Sequence, residues 1–140
     1  MKKITLFLLL LLCSVNLSFA EGDSTNNTTV QTPVVIPITQ PQNISFERCS
    51  KLFALKKEKL FYLTLSAITA NKFSIDEIQT QNGYIIFSAA NNKYLATIAG
   101  IDSDNSILKI TPCNNIYFFP PGIFIGIFKY IELNLNMEIK

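Results

Sequence analysis

The chain has no histidine and no tryptophan among its 140 residues. Histidine is the commonest general base near neutral pH and the commonest zinc ligand, so its absence excludes Ser-His-Asp and Cys-His catalytic mechanisms. Charge is also scarce: twelve basic and ten acidic residues give a formal net charge of +2. A nucleic-acid partner requires a concentrated basic surface, and this composition does not indicate one.

The first twenty residues have the organisation of a cleavable signal peptide. Lys2 and Lys3 precede an unbroken apolar run over residues 4–12, which is long enough for a signal sequence and too short to span a bilayer. Ser18 and Ala20 are small residues at the positions that signal peptidase reads, so we expect cleavage after Ala20. An uncleaved anchor is the alternative, and the polar residues that follow the run weigh against it.

Cys13 directly follows the apolar run, which raises the alternative of a lipoprotein. Lipidation requires a small residue just before the cysteine, and Leu12 occupies that position. We therefore expect an exported protein of the periplasm or the exterior, with no membrane span in the mature chain. Peripheral contact with a membrane stays open.

Composition divides the expected mature chain into two segments. Residues 21–43 are rich in Ser, Thr, Asn, Gln and Pro, which predicts an extended, disordered linker. From Ile44 onward the composition is that of a folded protein, so residues 44–140 are expected to form a single domain.

The spacing of apolar residues predicts a first helix over Lys57–Ala70. Its expected buried side chains are Leu60, Phe61, Leu63, Ala67 and Ile68, with Tyr62, Ser66 and Thr69 on the opposite side. Asn71 follows, a residue type that tolerates the left-handed conformation at which many helices end.

Four strands are predicted after this helix. Their ranges are residues 73–80, 84–90, 94–99 and 106–111. The connections are short and contain the turn formers Asn82-Gly83, Asn91-Asn92 and Asp102–Asn105. Three successive tight connections predict a four-stranded antiparallel meander.

A second helix is predicted to follow Pro120-Pro121-Gly122. Its expected apolar stripe is Ile123, Phe124, Ile127, Phe128, Ile131 and Leu135, with Gly126, Lys129 and Glu132 opposite. The expected fold is therefore α+β: a helix, a four-stranded antiparallel meander and a C-terminal helix, with both helices on one face of the sheet.

Segments 59–68, 73–75 and 82–86 give the order helix, short strand and glycine-turned strand. This layout resembles the small α+β domains of bacterial envelope proteins and lipoproteins, including BamC-like lipoprotein domains. The resemblance covers residues 57–135 and includes no catalytic signature. It implies a binding or scaffolding module of the cell envelope, although a fold does not determine a function.

Cys49 and Cys113 are the two cysteines of the expected mature chain. In an oxidising compartment they could form a disulfide that closes a loop of about 64 residues and adds about 4 kcal/mol of stability. Two buried reduced thiols are the alternative, because many bacteria do not oxidise exported cysteines. No base that would activate a cysteine nucleophile is recognisable.

Acidic residues offer two weaker hypotheses. Asp102, Asp104 and Asn105 partly match a calcium loop, but the glycine and glutamate of that motif are missing, and such residues are ordinary turn formers. Asp76 and Glu77 are adjacent, so in a regular strand they would point to opposite faces. A paired-carboxylate hydrolase needs two carboxylates in one cleft, so no catalytic residues are predicted.

The most apolar stretch of the mature chain is residues 117–125. These side chains could fill the core, or they could form an exposed patch for a partner or a membrane surface. The candidate docking residues are Tyr117, Phe118, Phe119, Phe124 and Phe128.

Together these features predict an exported, non-enzymatic protein-binding or scaffolding module of the bacterial cell envelope. Its partner would be another envelope protein, and neither a cofactor nor a metal ion is expected. The alternative is a soluble periplasmic carrier that holds a small apolar ligand between the helices and the sheet.

Overall fold

A computed structural model describes residues 37–137. The predicted signal peptide, and residues 21–36 of the predicted linker, lie outside the described residues. In chain order the elements are β1 (Gln42–Asn43), a 3-10 helix (Phe46–Cys49), β2 (Ser50–Phe53), α1 (Lys57–Ala70), β3 (Ser74–Gln79), β4 (Tyr84–Ala89), β5 (Asn92–Gly100), β6 (Ser106–Pro112), β7 (Phe118–Phe119) and α2 (Gly122–Leu133). The α+β class predicted from the sequence is confirmed.

The main sheet has five antiparallel strands in the order β2-β6-β5-β4-β3. Strands β3 to β6 are the predicted meander, each within two residues of its expected bounds. Strand β2 was not predicted. It precedes α1 and pairs with β6, so the sheet is one strand wider than the sequence indicated.

Helix α1 has the predicted bounds, and its predicted apolar face is buried. One polar residue shares that face: Thr64 is completely buried, and its hydroxyl donates a hydrogen bond of 2.7 Å to the carbonyl of Leu60. Because this bond satisfies the hydroxyl locally, Thr64 can lie in an apolar layer at little cost.

The left-handed residue after α1 lies one position later than predicted. Lys72, rather than Asn71, has the left-handed conformation, with φ of 59°. The amides of Lys72 and Phe73 donate to the carbonyls of Thr69 and Ile68, at 2.9 and 3.1 Å. This pair of bonds is a Schellman motif, which satisfies helix carbonyls that would otherwise lack a partner.

Two tight turns connect the central strands. Gly83 has φ of 70°, and a β-carbon there would lie 2.6 Å from the carbonyl oxygen of Ile98, so only glycine fits. The next turn consists of Ala90 and Asn91, with φ of 47° and 62°. The prediction placed this turn one residue later, but Asn92 already belongs to β5.

The segment before the predicted domain boundary also takes part in the fold. Strand β1 pairs antiparallel with β7, which joins residues 42–43 to the start of α2. Further upstream, a β-carbon on Gly122 would lie 2.7 Å from the carbonyl oxygen of Pro37. Residues 37–43 therefore pack on the domain, and the folded unit begins before Ile44.

Both helices cover one face of the five-stranded sheet. The predicted residues of α2 are buried, except Leu135, which lies beyond the end of the helix and is exposed. Gly126, expected on the outer side, is buried instead. A β-carbon on it would approach the side-chain oxygen of Asn71 to 2.6 Å, so glycine permits the close contact between α2 and the end of α1.

Aromatic rings form a continuous chain through the layer between the helices and the sheet. Neighbouring ring centroids are 5.3 to 6.2 Å apart, a normal range for favourable aromatic pairs. In order, the rings are Phe73, Phe87, Tyr94, Phe119, Phe124, Phe128 and Phe53. These rings pack against one another along the layer.

Candidate functional site

The structure separates the five predicted docking residues into two groups. Phe119, Phe124 and Phe128 are buried, with at most 7% of each residue exposed, and they belong to the aromatic chain. These three rings therefore offer little surface to a partner, and their docking role stays a prediction. Phe118 is 56% exposed, and Tyr117 is partly buried against the core.

Phe118 and Phe119 differ because they are consecutive residues of one strand. Successive side chains of a strand point to opposite sides, so β7 buries Phe119 and exposes Phe118. The sequence letters alone do not show which of two adjacent phenylalanines faces inward.

An aromatic corner lies beside β7 and extends to the main sheet. The ring of Phe46, 47% exposed, meets the ring of Tyr117 edge-on at 6.0 Å. The ammonium of Lys109 lies 4.4 Å from the centroid of Phe46, within the range of a cation–π interaction. We call Phe46, Tyr117 and Lys109 the aromatic corner.

The face of the sheet opposite the helices is partly exposed along its whole width. The register of the strands places two rows of side chains across it. One row is Thr111, Leu95, Ile86 and Glu77, and the next is Ser50, Lys109, Thr97, Tyr84 and Gln79. Leu52 and Ile107 extend the apolar part toward β2. We call these residues the open face.

The open face combines an apolar centre with a charged border. Ile86, Leu95 and Ile107 are partly buried by their neighbours on the sheet, and Leu52 is 57% exposed. Lys93 and Asp76 form an ion pair at one end, with 3.4 Å between the ammonium and the carboxylate. An apolar centre with a polar rim is the usual composition of a protein–protein interface.

A β-bulge brings two carboxylates to this face. The register of β3 against β4 shifts between Ile75 and Glu77, with Asp76 as the extra residue. Asp76 therefore accepts a hydrogen bond from Ser88 at 2.7 Å, and Glu77 accepts one from Tyr84 at 2.8 Å. The expectation that Asp76 and Glu77 point to opposite faces is wrong, because the bulge interrupts the alternation.

The charge state of Asp76 does not resemble that of a general acid. The hydrogen bond from Ser88 and the nearby ammonium of Lys93 lower the pKa of Asp76. The bond to Glu77 raises the pKa of Tyr84, because the carboxylate favours the protonated phenol. A general acid would require a carboxyl group whose pKa is raised.

The structure does not bring Cys49 and Cys113 to bonding distance. Both are free thiols: Cys49 is the buried last residue of the 3-10 helix, and Cys113 is exposed after β6. Burial raises the pKa of Cys49. The partial cover of Cys113 raises its pKa as well. A raised pKa disfavours the thiolate, so neither cysteine has the environment of an activated nucleophile.

Asp102 organises the turn between β5 and β6. Its carboxylate accepts hydrogen bonds from the backbone amides of Asp104 and Asn105, at 2.9 and 2.8 Å, and from the Asn105 side chain. These bonds lower the pKa of Asp102. Their geometry is that of a side chain that caps a tight turn, as the turn-forming interpretation predicted.

Among residues 37–137, one buried side-chain polar atom has no hydrogen-bond partner. The hydroxyl of Tyr94, a completely buried residue, makes no hydrogen bond within the described residues. Burial raises the pKa of Tyr94 to about 12, and the nearby Asn92 side chain opposes this rise without reversing it. Because the hydroxyl lies in the core, it is not part of the open face.

Comparison with protein-family models and with curated proteins finds no match for this chain. Between residues 37 and 137, no helix has both the length and the apolar character that a membrane crossing requires. The open face and the aromatic corner are thus the features on which a function can be argued.

Proposed function

We propose that the chain is an exported, non-enzymatic binding or scaffolding module of the bacterial cell envelope, and that its open face holds another envelope protein. The observation that carries this proposal is a sheet surface that no helix of residues 37–137 covers, in which Leu95, Ile86 and Ile107 lie between charged borders. A sheet with one face packed against helices buries one hydrophobic layer. A second, partly apolar face is therefore available to a partner.

The aromatic corner adjoins the open face and extends the proposed binding surface. Lys109 lies on the open face, and its ammonium contacts Phe46, so the corner continues the sheet surface rather than forming a separate patch. Aromatic residues, phenylalanine and tyrosine among them, are enriched at protein–protein interfaces. Phe46 therefore joins Tyr117, which the sequence already indicated, as a candidate contact residue.

The alternative of an apolar-ligand carrier has less support. Such a carrier needs an apolar space between its layers. Here the aromatic chain and the surrounding aliphatic side chains pack into that layer. Export itself rests on the signal-peptide pattern of residues 1–20, which the structure does not describe.

Site-directed photocrosslinking in the native host tests the proposal. A photoreactive residue at position 95 reports on the open face, and one at Tyr62, which is 45% exposed on α1, reports on the helix side. We expect one reproducible envelope protein to be attached through position 95 and not through position 62. Identical products at both positions, or none at either, would contradict the proposal.

A binding measurement with the purified partner then separates contact from chance proximity. Leu95→Lys places a charge in the apolar centre, and Ser66→Lys places the same charge on the exposed side of α1. We expect Leu95→Lys to weaken binding by a factor of about ten or more, which corresponds to about 1.4 kcal/mol. Ser66→Lys should leave the affinity unchanged.

A further inference from the structure

We propose that β2 is an association edge through which two copies of this chain pair their sheets around a two-fold axis. The two edges of the sheet are β2 and β3. An edge strand has backbone groups that point away from the sheet and can pair with another strand. The direction in which each residue's backbone groups point determines which of these groups lack a partner within the sheet.

One backbone hydrogen bond establishes the direction for the central strands. The amide of Ile98 donates to the carbonyl of Gly83 at 2.7 Å, so the backbone groups of Ile98 point toward β4. In an antiparallel strand, successive residues direct their amide and carbonyl groups to alternate sides. The backbone groups of Thr97 therefore point toward β6, and those of its register partner Lys109 point back toward β5.

The same alternation carries across β6 to the edge. Leu108 is next to Lys109 in β6, so its backbone amide and carbonyl point the other way, toward β2. There Leu108 pairs with Lys51. The backbone groups of the residues on either side of Lys51 must then point away from the sheet. Ser50 donates its outward amide to the carbonyl of Glu47 in the 3-10 helix. Within residues 37–137 Leu52 has no such local partner, so among these residues its amide and its carbonyl are both unpaired at the edge.

The other edge has features that oppose pairing. Strand β3 has the bulge at Asp76, and the side chains of Asp76 and Glu77 are both charged and exposed. A bulge is one of the usual means by which proteins prevent association at a sheet edge. Strand β2 has a regular register over all four residues. Leu52, whose backbone groups point away from the sheet, also has an exposed side chain.

The edge is complementary to a second copy of itself. With Leu52 on the two-fold axis, the two Leu52 residues would exchange their free backbone bonds and bring their side chains together on the open face. Lys51 would then lie opposite Phe53 of the second copy, next to aromatic rings like those it already contacts at about 6 Å. The alternative register, with Lys51 on the axis, would place two like charges opposite each other.

Apolar surface beside β2 supplies the rest of the interface. Lys51 forms a salt bridge with Glu132, so the end of α2 lies next to this edge. Leu133, Leu135 and Met137 follow Glu132 and are 47%, 37% and 42% exposed. A stable dimer buries about 800 Å² on each partner, which is more than a four-residue strand provides. Apolar residues on the flank are therefore required, and they are present.

The proposed dimer has a consequence for the open face. Edge-to-edge pairing makes a continuous sheet of ten strands, because each copy contributes five. Open faces of the two copies then adjoin each other at Leu52. This inference concerns the edge of the sheet and does not depend on the partner protein proposed above.

Molecular mass in solution tests the pairing with the mature chain. We expect the wild type to have twice the monomer mass at about 100 µM, a concentration that detects a dimer of micromolar affinity. Leu52→Lys should be a monomer with an unchanged circular dichroism spectrum. The matched control is Ile78→Lys, because Ile78 is 46% exposed on the other edge strand and should not affect the dimer.

Hydrogen exchange provides a second measurement that needs no variant. The amide of Leu52 should exchange quickly in dilute protein and become protected as the concentration rises, whereas the amide of Ile78 should not change. A wild type that stays monomeric at the highest concentration would overturn the proposal. So would a dimer that survives Leu52→Lys, or protection of Leu52 that is independent of concentration.

Discussion

The two faces of the five-stranded sheet are made by alternate residues of the same strands, yet they differ in what covers them. On β4, Ile85 and Phe87 are completely buried under the helices, while Ile86 between them remains partly exposed on the open face. Ile85 and Ile86 are identical in chemistry. The difference between them comes from topology, because both helices lie on the same side. An apolar residue on the covered face therefore serves stability, and one on the open face is free to serve binding.

The largest expected effect distinguishes covered from exposed positions within one strand. Phe119→Ala should destabilise the protein by about 3 to 5 kcal/mol, because it removes a buried ring from the aromatic chain. Phe118→Ala should change the stability by no more than about 0.5 kcal/mol, since Phe118 is mostly exposed. Urea unfolding of both variants measures this difference. Equal losses would show that Phe118 is also part of the buried layer.

A smaller effect is expected from the buried hydroxyl of Tyr94, which should make the stability depend on pH. The pKa of Tyr94 is about 12 in the folded chain and near 10 when unfolded. The folded state therefore favours the protonated phenol, and the resulting stability is complete below pH 10 and lost as the pH rises from 10 toward 12. At 1.36 kcal/mol per pKa unit, the loss amounts to about 2 to 3 kcal/mol.

The variant Tyr94→Phe isolates this contribution. It removes a buried hydroxyl without a partner, so at neutral pH it should be as stable as the wild type or slightly more stable. Above pH 10 the advantage of Tyr94→Phe over the wild type should increase, as measured by urea unfolding at a series of pH values. A constant difference at all pH values would mean that Tyr94 does not titrate in this range.

The close contact between Gly126 of α2 and Asn71 at the end of α1 is the next feature whose contribution to stability can be tested. Gly126→Ala adds a β-carbon 2.6 Å from the side-chain oxygen of Asn71, whose amide also donates to the carbonyl of Ala67 at 2.8 Å. Relief of this clash must disturb that buried bond, so we expect a loss of about 1 to 2 kcal/mol. Gly100→Ala is the control, because the added carbon meets its nearest neighbour at an ordinary 3.8 Å. Similar stabilities of the two variants would indicate that Asn71 moves freely.

Much of the fold could be predicted from local patterns. Helix α1 has the predicted bounds, because its apolar spacing extends over four turns and is unambiguous. The strands of the meander were located by the turn residues between them. Strand β2 was missed because four residues are too few to establish an alternating pattern. It forms a strand because β6 offers outward backbone groups on that side, which is a property of the tertiary structure.

The candidate site was less predictable than the fold. Periodicity identified an apolar stretch around Phe118 and Phe124, but burial depends on where α2 packs, so the buried rings could not be distinguished from the exposed ones. The bulge at Asp76 has no signature among its neighbouring residues, and it reverses which face that carboxylate occupies. Phe46 lies far from residue 117 in sequence, and only the fold brings the two rings together.

The smallest expected effect tests the bulge on the open face. Ser88 donates a hydrogen bond to Asp76 and is the main reason that the pKa of this carboxyl is lowered. A lowered pKa means that the interaction is present above the ordinary pKa of aspartate and is lost as the pH falls through the folded value. Ser88→Ala should therefore raise the pKa of Asp76 toward its ordinary value, as read from the carboxyl resonance in an NMR titration. Ser74→Ala is the control, since Ser74 lies opposite Ser88 in the register but does not hold Asp76. If the pKa of Asp76 were the same in both variants, the bulge would not direct this carboxylate to the open face, and the charged border of that face would have to be redrawn.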